Sequence, residues 1–322
     1  MTNLRGRLGG SLAVAIAASL FGTLGPASRF AYDAGLTPLT FVLWRASLGM
    51  LGMLAILAFF RARGRVRLRW TALDRRTLAA LGAAVVASLV LNLAIFTAFG
   101  RISVALALLG LYMYPALVAI GEERLDRGRL VALVLALGGM AVVVLGGTGG
   151  GPGFELAGFG LALLAAAMQA IYMVLGRRGF PAVPTAEATL VVLGGTALGY
   201  LVLTLVTGSL DVALLPFRSP SALPILVWSG IGGAAIPTLL FLVGIRAIGP
   251  TRAAIISLIE PVAGATLAAL LLAELLGPLQ LVGGILVLAG AALIQRGGDP
   301  AEPGTAVRPG TAAEPSETAG VA

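Results

Sequence analysis

Apolar runs about twenty residues long, separated by short polar stretches, recur along the whole chain. A bilayer core about 30 Å thick needs about 20 residues of helix to cross it. The runs fall at residues 9–31, 38–60, 78–99, 102–121, 129–147, 156–176, 187–207, 223–245, 251–272 and 278–296. This pattern predicts an all-α integral membrane protein of about ten transmembrane helices. Lipid supplies no hydrogen-bond partner, so each span must satisfy its own backbone as a helix. Arg5 and Arg7 precede the first run, as in a secretory leader. That run continues past Ala31 without a small-residue cleavage pattern, so it reads as the first transmembrane helix.

Composition narrows the function. Hydrophobic residues make up 58% of the 322 and charged residues 11%. A soluble domain carries about 25% charged residues. The polar surface here is too small to cover a globule in water. Cys and His are absent. That excludes disulfides, thiolate nucleophiles, zinc sites built from Cys or His, and Ser-His-Asp or Cys-His catalysis. All 22 basic residues are arginine, so no P-loop lysine exists and ATP-driven transport by this chain is not expected. No cofactor is expected.

The net charge of +8 raises the question of nucleic acid. The arginines lie in short loops between apolar runs, which points to membrane topology and no nucleic-acid partner. A cytoplasmic N-terminus with alternating spans puts all but four arginines (Arg29, Arg45, Arg101 and Arg218) on the cytoplasmic side. Both termini are therefore expected inside. The segment Arg61–Arg69, RARGRVRLR, reads as a positive-inside anchor in preference to a site for anionic lipid or a regulator. Richness in Ala, Gly, Leu, Val and Arg suggests a GC-rich bacterial genome and hence a bacterial inner membrane. Residues 297–322, rich in Pro, Gly, Ala and Glu, are expected to be a disordered cytoplasmic tail.

Two stretches resemble each other, one starting at Ala105 and one at Thr251. Pro115 matches Pro261, Tyr114 matches Glu260, and Glu123 matches Glu274. Leu130, Val131 and Gly139 match Leu281, Val282 and Gly290. Pro115 to Glu123 is 8 residues and Pro261 to Glu274 is 13, so the first copy lacks 5. Its fourth helix is expected to be short, or irregular at its end. The expected organisation is a cytoplasmic N-terminus (1–8), a first five-helix repeat (9–147), an extracytoplasmic linker (148–155), a second repeat (156–296) and the tail. Five is odd, so the copies enter the membrane from opposite sides. Inverted repeats are a frequent plan in secondary transporters, with the site at the repeat interface near the midplane. A duplicated scaffold without transport is the plainer alternative.

Leu258-Ile259-Glu260-Pro261-Val262, then Glu274 before a Leu/Gly-rich last helix, carry a resemblance to a known family. Tyr114-Pro115, Glu123-Arg124-Leu125 and Thr40-Phe41-Val42-Leu43-Trp44-Arg45 add to it. Over residues 9–296 the chain resembles the drug/metabolite transporter superfamily, specifically its EamA-type members. The resemblance implies two inverted five-helix repeats, one EamA domain each. It also implies movement of metabolites, often amino acids or their relatives and often outward. The shortened fourth helix departs from the family pattern.

Polar groups inside the membrane are costly, so each is a candidate. Glu260 is the sharpest, because Pro261 removes an N–H and frees carbonyls in the turn before it. It suits proton coupling or an amine contact; the alternative is a structural carboxyl tied to a neighbouring helix. Tyr112 and Tyr114 flank the matching position in the first repeat. Residues two apart point in different directions on a helix, so only one is expected to face a cavity, and Tyr114 is preferred as the counterpart of Glu260. Gln169 and Tyr172 share a face of the sixth helix. Ser88 and Asn92 share a face of the third, continued by Phe96; Ser19 and Thr23 share one on the first. Asn92 and Gln169 lean towards a cavity, the Ser and Thr residues towards helix–helix bonding. Arg45 is a candidate charge partner, for a substrate carboxylate or for Glu260. Snorkelling to the outer headgroups or a structural pair is the favoured reading. Arg29 and Arg252 read as anchors at helix ends. Gly195 and Gly199 have the GxxxG spacing that allows close helix approach.

The leading expectation is a secondary transporter, not an enzyme, exchanging access between its halves. Its partners are a small-molecule substrate and membrane lipids, and a homodimer is compatible with the sequence. A membrane-embedded enzyme of lipid or isoprenoid chemistry is the second reading. A channel is the third, and the ring of polar residues it needs is not apparent.

Overall fold

A computed structural model describes residues 2–63, 74–114, 117, 127–145, 155–178, 180, 183–218, 220–248 and 256–296. All of their regular structure is helical, and a helix stands at each of the ten expected spans. The first is Thr2–Gly22 continued as Leu24–Asp33, the second Pro38–Ala62 and the third Arg75–Phe99. The fourth is Val104–Leu111, the fifth Arg127–Leu145, the sixth Leu156–Arg178 and the seventh Thr185–Val206. The eighth runs from Leu223 to Ile248 through a π-helical stretch, Trp228–Ala235. The ninth is Ile259–Leu272 and the tenth Pro278–Arg296. Six helices among the described residues are long and apolar enough to cross a membrane.

Polar residues set the helix starts. Pro38 opens the second helix behind a capping box, in which Thr40 N–H donates to Thr37 Oγ1 at 3.3 Å and Thr37 N–H to Thr40 Oγ1 at 3.0 Å. Asp74 caps the third helix by accepting from Thr77 N–H at 3.1 Å. Hydrogen bonds from Thr77 hold its carboxyl below the usual carboxylate range.

Packing follows a twofold plan. The first helix packs along the eighth and the third along the sixth. The first also meets the ninth, and the sixth meets the fourth. The second packs on the seventh, the fifth on the tenth, and the fourth on the ninth. Replacing every helix by the one five places along maps these pairings onto themselves. That is the signature of two equivalent five-helix units, and their odd count makes them inverted. Small residues let the backbones close up. A Cβ on Gly195 would lie 2.8 Å from Val85 Cγ1, and one on Gly199 2.2 Å from Leu89 Cδ1. The GxxxG pair thus seats the seventh helix against the third.

The core draws on both units, with Phe41, Phe96, Phe99, Ile102 and Val104 from the first and Ala165, Tyr200 and Leu226 from the second. The outer faces carry large apolar residues such as Leu198, Val202 and Leu205 on the seventh helix and Val131, Val134 and Leu137 on the fifth. That exposure suits a lipid surround. Pro115, Glu123, Arg252, most of the RARGRVRLR segment and the tail lie outside the described residues.

Candidate functional site

Both halves of the site arise from interrupted helices. The fourth helix breaks at Tyr112–Met113, where Met113 N–H donates back to Gly110 carbonyl at 3.2 Å in a tightened turn. The ninth segment starts after a matching break at Ser257–Leu258, where Glu260 N–H donates to Ser257 carbonyl at 2.9 Å. Proline follows each break in the sequence, at 115 and 261. Pro261 has no N–H to return to the carbonyl four residues back, which is that of Ser257. Tyr112 supplies the substitute, its hydroxyl lying 2.8 Å from that oxygen. The same hydroxyl lies 3.1 Å from Glu260 Oε2. Glu260 thus sits in the first turn of its helical segment, where the backbone dipole favours an acidic group.

The two tyrosines correct an expectation. Tyr112 and Tyr114 were expected to point apart, yet their rings lie 5.7 Å apart and it is Tyr112 that bonds Glu260. The break between them resets the helical phase, so the regular spacing rule does not apply. Tyr114 is buried beside them.

Arg45 forms the other pole. It does not snorkel. Its Nη1 donates to Asn92 Oδ1 at 2.9 Å and its Nη2 to Gly233 carbonyl at 3.1 Å. The guanidinium stands 5.4 Å from the centre of the Phe96 ring. Asn92 is itself oriented by Ser88, donating to its carbonyl at 2.8 Å. The Ser88–Asn92–Phe96 face expected from spacing therefore exists, and its occupant is Arg45. The Gly233 carbonyl lies in the π-helical stretch, a distortion common at functional sites. Arg45 Nε is buried with no hydrogen-bond partner among the described residues.

Arg45 belongs to the first unit and Glu260 to the second. No ion pair between them is seen among the described residues. Each is held by neutral groups instead. Gln169 and Tyr172 are half-buried on the sixth helix, which packs on the third and fourth. No hydrogen bond among the described residues ties either to Arg45 or Glu260.

Thr23 does act between helices, accepting from Trp228 Nε1 at 3.0 Å; among the described residues Ser19 bonds within its own helix, to Ala15 carbonyl at 2.9 Å. Arg29 is not a surface anchor. It pairs with Glu274 at 3.2 Å, with side-chain exposures of 17% and 5%. Sequence reasoning missed this pair because 245 residues separate its members. Tyr200, whose hydroxyl donates to Leu89 carbonyl at 2.8 Å near Arg45, was missed likewise. For Arg29 and Tyr200 the signal was present in kind, since each is a polar side chain inside an apolar run.

The model of the EamA-like transporter family matches this chain twice, over residues 8–145 and 156–296. A solved crystal structure of a protein 22% identical superposes with a TM-score of 0.57, covering 89% of this chain and 96% of the other. That likeness concerns the fold. No curated protein matches.

Proposed function

Since the chain belongs to the EamA-like transporter family, we propose that it is a secondary transporter moving a small metabolite across a bacterial inner membrane by alternating access. The cargo class is an amino acid or related compound, and the direction is outward. The termini and the arginine-rich loops face the cytoplasm. Tyr114, Gln169, Tyr172 and Glu260 contact the substrate, Asn92 acts with them through Arg45, and Glu260 carries the coupled proton.

The observation that supports this most is the separation of Arg45 and Glu260. Arg45 of the first unit and Glu260 of the second are both half-buried, and the partners seen among the described residues are neutral: Asn92 and the Gly233 carbonyl for the one, Tyr112 for the other. Left without a ligand, such charges favour direct pairing in low dielectric. A zwitterion offers a carboxylate to the one and an ammonium to the other. Binding at a seam between units also gives the ligand different contacts in the two states, which is what shifts their populations.

Flux of labelled amino acids, nucleosides, sugars and amines into and out of liposomes holding the protein tests the reading. Glu260→Gln is expected to abolish the pH dependence of any flux found. Unchanged pH dependence with normal flux removes Glu260 from proton coupling, and no flux of any compound under any gradient counts against transport.

A further inference from the structure

The Glu274 carboxylate fastens one end of the seam between the two units. Its Oε1 accepts from Arg29 Nη2 at 3.2 Å, and its Oε2 accepts from Val104 N–H at 2.7 Å. Arg29 Nη2 also donates to Ile102 carbonyl at 2.8 Å. Three pieces of chain converge here: the end of the first helix, the start of the fourth, and the segment after the ninth. The first two belong to one unit and Glu274 to the other. The convergence lies at the end of the bundle opposite both termini, since the first helix runs towards it from Thr2 and the tenth departs from it at Pro278.

The local chain is shaped to present this carboxylate. Ala273 has φ 55°, the left-handed conformation that a residue with a Cβ disfavours. It ends the ninth helix and turns Glu274 inward. Val104 N–H is one of the donors that a helix start leaves without an intrahelical partner, and Glu274 serves it from the other unit. Below this point the two units approach closely. A Cβ on Gly22 of the first unit would lie 3.0 Å from the Glu260 carbonyl and 3.0 Å from Gly264 N of the second. Ser28 and Ala268 are fully buried.

An apolar contact would hold such a seam with less desolvation. An ion pair differs in how it opens. When the units part and water enters, both charges are hydrated and little is lost. When one partner is removed while the seam stays shut, the other charge is stranded. A contact with that property suits a seam that must alternate between dry and wet.

We propose that Arg29 and Glu274 are the gating pair of the transport step at this end, holding the pathway closed until the units separate. The proposal rests on the alternating-access reading above. By the arginine bias, this end faces away from the cytoplasm.

The absence of cysteine makes the test direct. Ser28→Cys and Ala268→Cys place single thiols at two fully buried positions, one in each unit. The full-length protein in liposomes is treated with a membrane-impermeant maleimide from either side, with no substrate needed. With Arg29 and Glu274 intact, both thiols react slowly. Adding Glu274→Gln is expected to speed both about tenfold or more, from one side only. Arg29→Lys keeps the charge but loses the fork, and is expected to fall between, which serves as the reading if Glu274→Gln does not fold. Glu155→Gln breaks the exposed Arg101–Glu155 pair and is expected to change nothing. Unchanged labelling in Glu274→Gln and Arg29→Lys overturns the proposal. So does faster labelling from both sides, or an equal effect of Glu155→Gln. None of these outcomes bears on Glu260, so failure here leaves the transport reading to its own test.

Discussion

Tyr112 and Glu260 lie 3.1 Å apart across the seam between the fourth and ninth helices, and the same tyrosine hydroxyl lies 2.8 Å from the Ser257 carbonyl. One phenolic proton therefore serves two acceptors. The first is a carboxylate and the second a carbonyl that proline has left short of its usual donor. Tyr112→Phe keeps the ring and deletes the donor. It is expected to lower stability by about 1.5–3 kcal/mol, the range for a hydrogen bond to a charged group. Tyr114→Phe deletes no hydrogen bond seen among the described residues. It is expected to stay within about 0.5 kcal/mol of the parent. Thermal unfolding of the two purified variants side by side checks the contrast.

Arg45 depends on Asn92 in a way that a double-mutant cycle can expose. Asn92→Leu removes one of two acceptors from a half-buried cation and is expected to cost about 1–3 kcal/mol. Arg45→Met with Asn92→Leu removes the cation as well. It is expected to be less destabilised than the two single changes summed, because no stranded charge remains. Additive losses in the unfolding midpoints would show that the two residues do not act as a unit.

The fifth and tenth helices meet at Gly139, where an added Cβ would lie 2.7 Å from Gly283 carbonyl and 2.8 Å from Val287 N. These are backbone atoms and cannot rotate away. Gly139→Ala is expected to destabilise by about 1–3 kcal/mol. Gly160→Ala meets nothing within 4 Å and is expected to be neutral or to stabilise by up to about 1 kcal/mol through helix propensity. Equal melting temperatures for the two variants would contradict the packing described here.

The spans were legible because lipid enforces one rule on every helix, and apolar runs about twenty residues long report it directly. The inverted plan was legible because Tyr114-Pro115 and Glu260-Pro261 recur in order, an odd number of spans apart. The site was only partly legible. Pro261 announced a carbonyl in need of a donor, and Glu260 announced a buried acid. The donor, Tyr112, was hidden because the helix break before Pro115 moves two tyrosines onto one face, against regular spacing. For Arg45, snorkelling stood beside a structural pair, because an arginine near a helix end ordinarily snorkels. Only the fold shows Asn92 and the π-helical carbonyl of Gly233 waiting for it. Arg29 and Glu274 are far apart in sequence, and no local pattern pairs them.

The central proposal is that the half-buried region between Arg45 and Glu260 receives a small polar substrate. Its most direct test is the thermal stability of the detergent-purified protein against a panel of amino acids, sugars, nucleosides and amines at two pH values. A ligand that binds only the folded state adds about 2.7 kcal/mol at 100 times its dissociation constant. The expected result is a saturable hit among zwitterionic compounds that weakens in Glu260→Gln. A panel in which nothing stabilises the protein, or a hit unchanged in Glu260→Gln, would contradict the claim.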